Sequence, residues 1–387
     1  MTTLRLPTET GTIEPYTLQG EALPPPHGKP VFNRVAMAAA HVVSDPLSAI
    51  EPSAGGAVDW ERTLAYRDHL SATGSPSPRP WTRRSAAGPR LADGARADPP
   101  LGRECASPQG CPVFSGCGTD QLDPADASSL DDVIGAYLTQ MDAIQAVGGR
   151  VILMASRALA RIASGPDDYA RVYGKVLAHA EEPVILHWLG EMFDPALAGY
   201  WGGDDFDRTM ATCLAVISDN VAKVDGIKVS LLDAEKEIVM RRRLPEAVRM
   251  YSGDDFAYPT LIKGDAHGHS DALLGIFDAI APAACHALAA LAKGDSDAYD
   301  RIFAPTVPLS RLIFRSPTRF YKTGVVFMAW LNGHQDHFTM LGGQQAMRPL
   351  PYFAGIFRLA DQAGLLRDPG LAARRMRQLL DLHGVEA

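Results

Sequence analysis

The sequence lacks any Cys-x-x-Cys pair, and cysteine itself is scarce among the 387 residues. The cysteines are odd in number and irregularly spaced: Cys105, Cys111, Cys117, Cys213 and Cys285. This pattern indicates neither a disulfide framework nor a zinc site. We therefore expect a reducing, cytoplasmic setting.

Long apolar runs and an excess of basic charge are also missing. No uninterrupted apolar stretch reaches the ~20 residues that a helix needs to cross a bilayer. The first residues, MTTLRLPTETGTIEP, contain no apolar core of a signal peptide. The formal net charge is −8, whereas a general nucleic-acid binder normally carries a basic patch. We expect a globular protein with neither a membrane nor a nucleic-acid partner.

Short apolar strands alternate with amphipathic helices through most of the chain. The predicted strands are residues 34–43, 112–118, 150–155, 183–189, 224–230 and 248–251. The predicted helices are residues 59–70, with Asp59 as N-cap, and 127–147, 167–180, 206–218 and 234–240. Such alternation predicts βαβ units and parallel pairing. No Gly-rich nucleotide turn follows the first strand, which favours a (β/α)8 TIM barrel over a doubly wound sheet.

The barrel is predicted over residues 31–282, with polar, proline-rich residues 1–30 as an extended N-terminal arm. Residues 283–387 are predicted to be purely helical and form a C-terminal helical extension. The fold class is therefore α/β.

One segment differs in amino-acid composition from the rest of the chain. Residues 75–112 hold eight prolines and six arginines but no Val, Ile, Phe, Tyr or Met. In a barrel, the second strand and its helix belong here. A disordered insertion is one interpretation, because such a composition buries too little apolar surface to offset the entropy of ordering.

A frameshift is the second interpretation of residues 75–112. Residues 75–86, back-translated and read one base earlier, permit sequence resembling FAVAEAMDTAQRG. Residues 90–100, read one base later, permit DWPTARELIRR. Both products have the pattern of a normal βα unit. The hypothesis is that compensating frameshifts have disrupted the second unit.

The run Asp225-Gly-Ile-Lys-Val-Ser places Lys228 between apolar residues of a predicted strand. Burying an ammonium is unfavourable unless it is paired or loses its proton. A neutral amine is a nucleophile towards carbonyl carbon, the first requirement of Schiff-base chemistry. The alternative is a lysine whose ammonium reaches water at a strand end.

Four segments, in this order and spacing, resemble the dihydrodipicolinate synthase/N-acetylneuraminate lyase superfamily. They are PVILHWLGEMFDP (183–195), the GIK strand, MYSGDD (250–255) and KGDAHGHSDAL (263–273). The helical tail over 292–314 is also similar. Further segments resemble an uncharacterised branch of that superfamily, domain of unknown function 993. Its features resemble NRVAMAAAHVVSDPL (33–47), SGCGTDQL (115–122), RFYKTGVVFMAWLNGHQDHFTMLGG (319–343) and the shifted AEAMDTAQRG product.

The resemblance implies that Lys228 is the Schiff-base lysine and that His187 replaces the superfamily's catalytic tyrosine. An imidazole donates or accepts protons near neutral pH, whereas a phenol does so near 10. A core histidine bonded to a carbonyl is the other interpretation of His187.

The remaining candidates lie at predicted strand ends and are assigned to substrate binding: Thr119, Asp120, Arg157, Asp254, Asp255, Ser270 and His41. Each has a structural alternative. Asp254 and Asp255 are typical of helix capping, Thr119 and Asp120 of loop capping, and Arg157 of a surface arginine. His269 stands where the family has an apolar residue near Gly268 and Ser270.

Two further motifs contain candidate functional residues. His334 and His337 lie three residues apart, a spacing that permits metal binding on one helical face, but no HExxH pattern accompanies them. Lys322, after Tyr321, is a second candidate lysine without strand-like flanks.

The leading hypothesis is a class I aldolase or lyase acting on a 2-oxo acid or keto-sugar-like substrate. It needs no cofactor and no metal, takes a small-molecule carbonyl substrate, and is expected to be a homo-oligomer. One alternative is a metal-dependent barrel isomerase or hydrolase using His187, Glu191, Asp254 and His334. Another is an inactive copy, damaged in residues 75–112.

Overall fold

The computed structural model describes residues 2–25, 31–72 and 114–386. The chain divides into two compact units. Within the described residues, the first unit comprises 2–25, 31–72 and 275–386, and the second comprises 114–274. Residues 75–112, with their proposed frameshifts, lie outside the described part of the chain.

The strands of the described residues are β1 (Thr3–Pro7), β2 (Ile13–Thr17), β3 (Ala36–Ala38), β4 (Phe114–Cys117), β5 (Arg150–Met154), β6 (Val184–Leu189), β7 (Val224–Ser230), β8 (Arg249–Ser252) and β9 (Asp271–Leu274). The helices before residue 275 are α1 (Trp60–Ala72), α2 (Leu130–Gln145), α3 (Arg157–Ile162), α4 (Pro166–His179), α5 (Phe206–Asp219), α6 (Ala234–Arg241) and α7 (Tyr258–Lys263). Those after it are α8 (Ile276–Ala279), α9 (Ala281–Ala292), α10 (Ser296–Phe303), α11 (Thr306–Ile313), α12 (Tyr321–Leu331), α13 (Leu350–Gln362) and α14 (Pro369–Leu382).

In the second unit, strands β4 to β9 pair in chain order, and every pair is parallel. Helices α2 to α7 connect them, so this unit repeats the βα pattern that the sequence predicts. Every residue of β6 is buried, and in β5 only the first residue is not. Parallel strands covered on both faces need such apolar runs, which explains sequences such as VILM and VILHWL.

Four of the six helices of the second unit begin at polar caps, whereas α4 and α7 begin without a side-chain cap. Ser129 accepts a hydrogen bond from the backbone N–H of Asp132 at the start of α2, and the Asp132 carboxylate accepts in return from the N–H of Ser129. Asp205 and Asp233 each accept from one backbone N–H in the first turn of α5 and α6. Each such cap satisfies an N–H group that lacks a partner within the helix.

The first unit opens with a hairpin of β1 and β2, in which Thr3 is opposite Thr17. The hairpin is anchored on α13, where the Asp361 carboxylate accepts hydrogen bonds from the Tyr16 hydroxyl and the Gln19 backbone N–H. The sequence predicts an extended arm over residues 1–30, without this pairing. Beyond residue 275 the described residues are helical, as predicted.

Strand β3 is shorter than the predicted strand over 34–43, although the residues from Ala36 to His41 are all buried. The backbone N–H of His41 donates to the Asp278 carboxylate at 2.6 Å. If β3 extended to residue 41, this backbone N–H would bond to a neighbouring strand. It bonds to the Asp278 side chain instead, which explains why the strand ends earlier. The predicted helix with Asp59 as cap is confirmed, because Asp59 accepts from the N–H of Arg62. None of the helices in the described ranges is long and apolar enough to cross a membrane.

Two glycines give a matched test of the packing. A Cβ at Gly226 in β7 would lie 2.5 Å from the Tyr251 ring, whereas a Cβ at Gly135 in α2 would meet nothing within 4 Å. We expect Gly226→Ala to lower the free energy of unfolding by about 1–3 kcal/mol through overpacking. Gly135→Ala should raise it by about 0.5–1 kcal/mol, because alanine favours the helix. Urea unfolding measures both, and equal effects of the two variants would contradict this account of β7.

Candidate active site in the second unit

The six parallel strands of the second unit end at one edge of its sheet. In parallel α/β folds, side chains at the carboxyl ends of the strands form the functional site. The predicted residues that follow strands of this unit are Thr119, Asp120, Arg157, Asp254 and Asp255. We therefore expect the candidate site at this edge of the sheet.

A single row of side chains crosses the sheet through Lys228. Met154 is opposite His187, and His187 is opposite Lys228. Lys228 is in turn opposite Tyr251, and Tyr251 is opposite Asp271. Directly opposed residues of parallel strands point to the same face. The two residues predicted to be catalytic, His187 and Lys228, are therefore neighbours on one face.

Lys228 is buried, with only 6% of its surface exposed. The residue after β8 is Gly253, and a Cβ there would lie 2.8 Å from Cε of Lys228 and 2.2 Å from Oγ of Ser230. The absence of a side chain at Gly253 thus leaves the space that the end of the lysine occupies. The ammonium-bearing end is enclosed by the sheet edge rather than extended into water.

His187 is 1% exposed and has polar neighbours at both ring nitrogens. Its Nε2 lies 3.0 Å from the Ser230 hydroxyl, and its Nδ1 lies 3.4 Å from the Met154 sulfur. A thioether accepts weakly and donates nothing, so a proton on Nδ1 points at Met154. The contact at Nε2 fits either direction, because a serine hydroxyl both donates and accepts. His187 and Ser230 are thus hydrogen-bonded to each other beside Lys228.

Tyr251 does not offer a free phenol to this row. Its hydroxyl donates to the Asp225 carboxylate at 2.7 Å. Burial, and next the hydrogen bond to Asp225, raise the pKa of Tyr251 well above its ordinary value. The phenol therefore stays protonated and engaged at the start of β7.

Thr119 follows β4 and is 5% exposed. Its hydroxyl lies 2.7 Å from that of Ser156, which in turn caps α3 by accepting from the N–H of Leu159. Asp120, the next residue, is exposed. Thr119 and Ser156 thus form a hydroxyl pair at neighbouring strand ends.

Arg157 begins α3 and forms an ion pair with Asp194, Nε to Oδ2 at 2.7 Å. The arginine side chain keeps 28% of its surface exposed, whereas Asp194 is buried. Asp194 also accepts from the N–H of Ala196. The ion pair fixes the guanidinium at the strand edge, where a partly exposed fork is suited to a carboxylate.

Asp254 and Asp255 are both buried at the end of β8. Oδ1 of Asp254 accepts from the backbone N–H groups of Phe256 and Ala257 at 2.8 and 2.9 Å. These bonds stabilise the turn that leads from Gly253 towards α7, which itself begins without a side-chain cap. Helix capping and substrate binding both stay predictions for Asp254 and Asp255.

Ser270 bonds with an acidic side chain of a helix. Its hydroxyl lies 2.7 Å from Glu237 of α6, which also accepts from Ser252 at 3.1 Å. Glu237 is 1% exposed, and burial raises its pKa to about 8. The charge of Asp254 acts in the same direction, and the two serine hydroxyls oppose it. Ser270 therefore links β9 to a carboxyl group that is neutral at pH 7.

His41 belongs to the first unit, where its Nδ1 lies 3.0 Å from Asp278. His334, one of the residues of the metal alternative, is also in that unit, whereas His187, Glu191 and Asp254 are in the second. Within the described ranges, no group of three or more His, Cys, Asp or Glu side chains is arranged to hold a metal ion.

Three participants were not identified from the sequence: Ser230, Ser156 and Glu237. Ser230 could have been found, because it lies two residues after Lys228 and so shares its face of the strand. Ser156 precedes Arg157 at a predicted strand end and has the residue type of a cap. Glu237 offered no signal, since an acidic residue in an amphipathic helix normally faces water.

Comparison with known proteins places the chain by family and by fold. A family model described as a protein of unknown function, DUF993, matches residues 4–385. No curated protein matches the chain. The dihydrodipicolinate synthase structure from Thermotoga maritima has a TM-score of 0.61 and 12% sequence identity, covering 86% of this chain and 99% of that chain.

Two further solved structures are similar. YagE of E. coli K12, a prophage protein of the dihydrodipicolinic acid synthase family in complex with pyruvate, has a TM-score of 0.59 and 14% identity, covering 87% of this chain and 100% of its own. The dihydrodipicolinate synthase from Aquifex aeolicus has a TM-score of 0.56 and 13% identity, covering 91% and 99%. The prediction of an α/β, (β/α)8-barrel fold with a C-terminal helical part is confirmed.

The buried Glu237 predicts a pH dependence of stability. Its folded-state pKa of about 8 exceeds the ordinary 4.5, so its stabilising contribution is complete below 4.5 and is lost as pH rises to about 8. Each unit of difference corresponds to about 1.4 kcal/mol. We expect Glu237→Gln, which resembles the protonated acid, to flatten this part of the profile and to stabilise the protein above pH 8.

Urea unfolding across this pH range measures the effect. Glu235→Gln is the matched control, because Glu235 lies on the same helix and is exposed. The control should retain the wild-type profile. Parallel profiles for wild type and Glu237→Gln would show that Glu237 is ionised in the folded protein.

Proposed function

The chain belongs to the DUF993 family of proteins of unknown function, and on that premise we propose that it is a Schiff-base lyase of the aldolase type. Its substrate is a 2-oxo acid or a keto-sugar-like compound. The observation that carries the proposal is the place of Lys228, buried in a parallel sheet beside His187 and two residues before its strand ends. The dihydrodipicolinate-synthase-like fold supports it.

The enclosed position favours the reactive form of the amine. Lys228 lies between Ile227 and Val229, both buried, and its stem packs against the backbone at Gly253. Desolvation disfavours an ammonium relative to the neutral amine. A neutral Nζ has the lone pair that attacks a carbonyl carbon.

The chemistry proceeds through an imine. Nζ of Lys228 adds to the substrate carbonyl, and the resulting carbinolamine loses water to form a protonated imine. This cation accepts the electron pair of the bond between its α and β carbons, giving an enamine, while a base takes the proton of the hydroxyl on the β carbon and that carbon leaves as a carbonyl fragment. Protonation of the enamine carbon and hydrolysis return the free lysine. No dissociable cofactor is needed.

His187 is proposed to move the protons. Its Nε2 lies 3.0 Å from the Ser230 hydroxyl, and both side chains lie on the face of Lys228. In its protonated form, Nε2 passes a proton through the Ser230 hydroxyl to the carbinolamine oxygen, which leaves as water, and the neutral imidazole then accepts the proton released when the carbon–carbon bond breaks. This pair takes the place of the tyrosine hydroxyl that the superfamily uses, with an acid–base group better matched to neutral pH.

Hydroxyl and cationic groups at neighbouring strand ends are proposed to bind the rest of the substrate. The Thr119–Ser156 pair offers hydroxyls, and Arg157, held by Asp194, offers a guanidinium for a carboxylate. Asp255 and the exposed Asp120 are candidates for substrate hydroxyls. A bound pyruvate in the structure of YagE makes 2-oxo acids the first substrates to test.

Borohydride trapping tests the imine. With pyruvate and sodium borohydride, we expect a reduced adduct on Lys228, located by peptide mass spectrometry. Lys228→Met and Lys228→Arg should both reduce labelling to background, because neither side chain can form an imine. Lys236→Met is the control, since Lys236 is a partly exposed helix residue paired with Asp233.

A panel of 2-oxo acids and keto sugars extends the same experiment to the substrate class. The class of compound that labels Lys228 most strongly would be identified as the substrate class. An adduct on a lysine other than Lys228, or none on any lysine with the whole panel, would contradict the proposal.

Deuterium exchange tests the role of His187. An imine of pyruvate exchanges its methyl protons with solvent through the enamine, which NMR detects in D2O. We expect His187→Gln to form the borohydride-trapped adduct but to slow this exchange on the order of 10²-fold, because a proton-transfer group is lost. Ser252→Ala is the control, since Ser252 bonds to Glu237 instead. Exchange at the wild-type rate in His187→Gln would remove His187 from the mechanism.

A further inference from the structure

Three buried tyrosines lie together at the end of β5 in the second unit, and the proposed imine chemistry does not use them. This tyrosine cluster consists of Tyr137 in α2, Tyr173 in α4 and Tyr200 in the loop between β6 and α5. The hydroxyl of Tyr200 lies 2.9 Å from that of Tyr173. The hydroxyl of Tyr137 donates to the carbonyl of Met154, the last residue of β5, at 2.5 Å.

Tyr200 also bonds to the backbone just beyond β5. Its hydroxyl accepts a hydrogen bond from the N–H of Ser156 at 3.1 Å. Because β5 ends at Met154, this N–H lies outside the strand ladder and needs another acceptor. Burial raises the pKa of Tyr200 to about 12, so the phenol is neutral at physiological pH. The loop after β6 thus fixes the backbone of the residue that caps α3.

The loop adopts an unfavourable conformation directly after Tyr200. Trp201 has a φ of 71°, in the left-handed region that residues other than glycine rarely adopt. Its ring packs on that of Tyr173, with centroids 4.6 Å apart, but its buried Nε1 has no hydrogen-bond partner among the described residues. Both features oppose folding. Strain of this kind is typical of segments that hold a functional site in place.

Ser156, the residue that Tyr200 holds, forms the hydroxyl pair with Thr119. The Ser156 hydroxyl accepts from the N–H of Leu159 and lies 2.7 Å from the Thr119 hydroxyl. Two hydroxyls bonded to each other carry two protons, of which one forms the mutual bond. Within the described part of the chain, no acceptor is in place for the other proton. The buried pair can therefore donate to one oxygen of a bound molecule.

The position of the pair in the sheet indicates which oxygen this is. Thr119 follows β4 and Ser156 follows β5, which lie three and two strands away from β7. Neighbouring strands are about 4.8 Å apart, so that Ser156 lies roughly 10 Å along the sheet from the strand of Lys228. A molecule held at Lys228 by its carbonyl carbon reaches the pair only with an oxygen several carbons further along its chain.

We propose that Tyr200 is a positioning residue, which holds Ser156 so that the Thr119–Ser156 pair binds a hydroxyl of a substrate longer than pyruvate. This role rests on the proposed imine at Lys228, and it narrows the substrates to 2-oxo acids or keto sugars with hydroxyls remote from the carbonyl group. Without the Tyr200 hydroxyl, the N–H of Ser156 loses its acceptor and the residue shifts towards another. The pair then no longer fits the remote hydroxyl, whereas the imine still forms.

Borohydride trapping with two 2-oxo acids of equal chain length tests this role. 2-Ketogluconate carries hydroxyls along its chain, and 2-oxohexanoate carries none. We expect Lys228 of the wild type to be half-labelled at a lower concentration of 2-ketogluconate than of 2-oxohexanoate. Tyr200→Phe should raise the concentration for 2-ketogluconate about tenfold, which corresponds to about one hydrogen bond, and leave that for 2-oxohexanoate unchanged. Thr119→Val should act in the same way.

Tyr173→Phe is the matched control. It also removes a buried hydroxyl of the tyrosine cluster, but this hydroxyl bonds to Tyr200 and not to Ser156. The control should label Lys228 at the wild-type concentrations of both compounds. A purely structural role of the cluster would instead change the values for both compounds, in both variants.

Amide hydrogen exchange tests the same link in the wild-type protein, without a substitution. If the bond from Ser156 to Tyr200 supports binding of 2-ketogluconate, then binding supports the bond by the same factor. Saturating 2-ketogluconate should therefore slow exchange of the Ser156 amide about tenfold, and 2-oxohexanoate should leave it unchanged. Mass spectrometry resolved to single amides measures the rates.

The results separate this role from the imine itself. A Lys228 adduct in the wild type, with Tyr200→Phe changing both compounds equally or neither, would overturn the role of Tyr200 alone. An unchanged Ser156 amide, or a wild type that prefers 2-oxohexanoate, would do the same. Absence of any Lys228 adduct in the wild type would contradict the proposed function, and the role of Tyr200 with it.

Discussion

Parallel pairing of β6, β7 and β8 is the constraint on which the candidate site depends. It forces His187, Lys228 and Tyr251 onto one face at one level of the sheet. Strands buried on both faces are otherwise apolar, so each polar group in the row has to be satisfied locally. His187 is satisfied by Ser230, and Tyr251 by Asp225. Lys228, between these two residues, is 6% exposed.

Much of the fold was predictable because its signals are local. Apart from the short helix α3, the strands and helices from β5 to α6 were predicted to within a few residues, since each is an apolar run or an amphipathic stretch. Lys228 was predictable for the same reason: one charged residue interrupts an apolar strand. His187 followed from its place in the preceding strand. Lys228 and His187 are then placed side by side on one face by the register of β6 against β7.

Other parts depend on contacts between distant positions and left no local trace. The end of β3 is set by Asp278, 237 residues from His41. The hairpin of β1 and β2 is held by Asp361, near the other end of the chain. Glu237 is buried where the hydroxyls of Ser252 in β8 and of Ser270, directly before β9, bond to it. Asp254 has two possible roles in its sequence context, and its bonds to the backbone N–H groups of the following turn could not be read from the sequence.

The empty position at Gly253 has an evolutionary consequence. Its missing side chain and the end of Lys228 share one volume, together with the Ser230 hydroxyl. The carbonyl oxygen of Val229 would also lie 2.6 Å from a Cβ at this position. The backbone of β7 therefore requires glycine at 253 together with the lysine side chain. A relative that keeps lysine at 228 should keep glycine at 253, whereas glycine at 253 does not by itself report that the lysine is present.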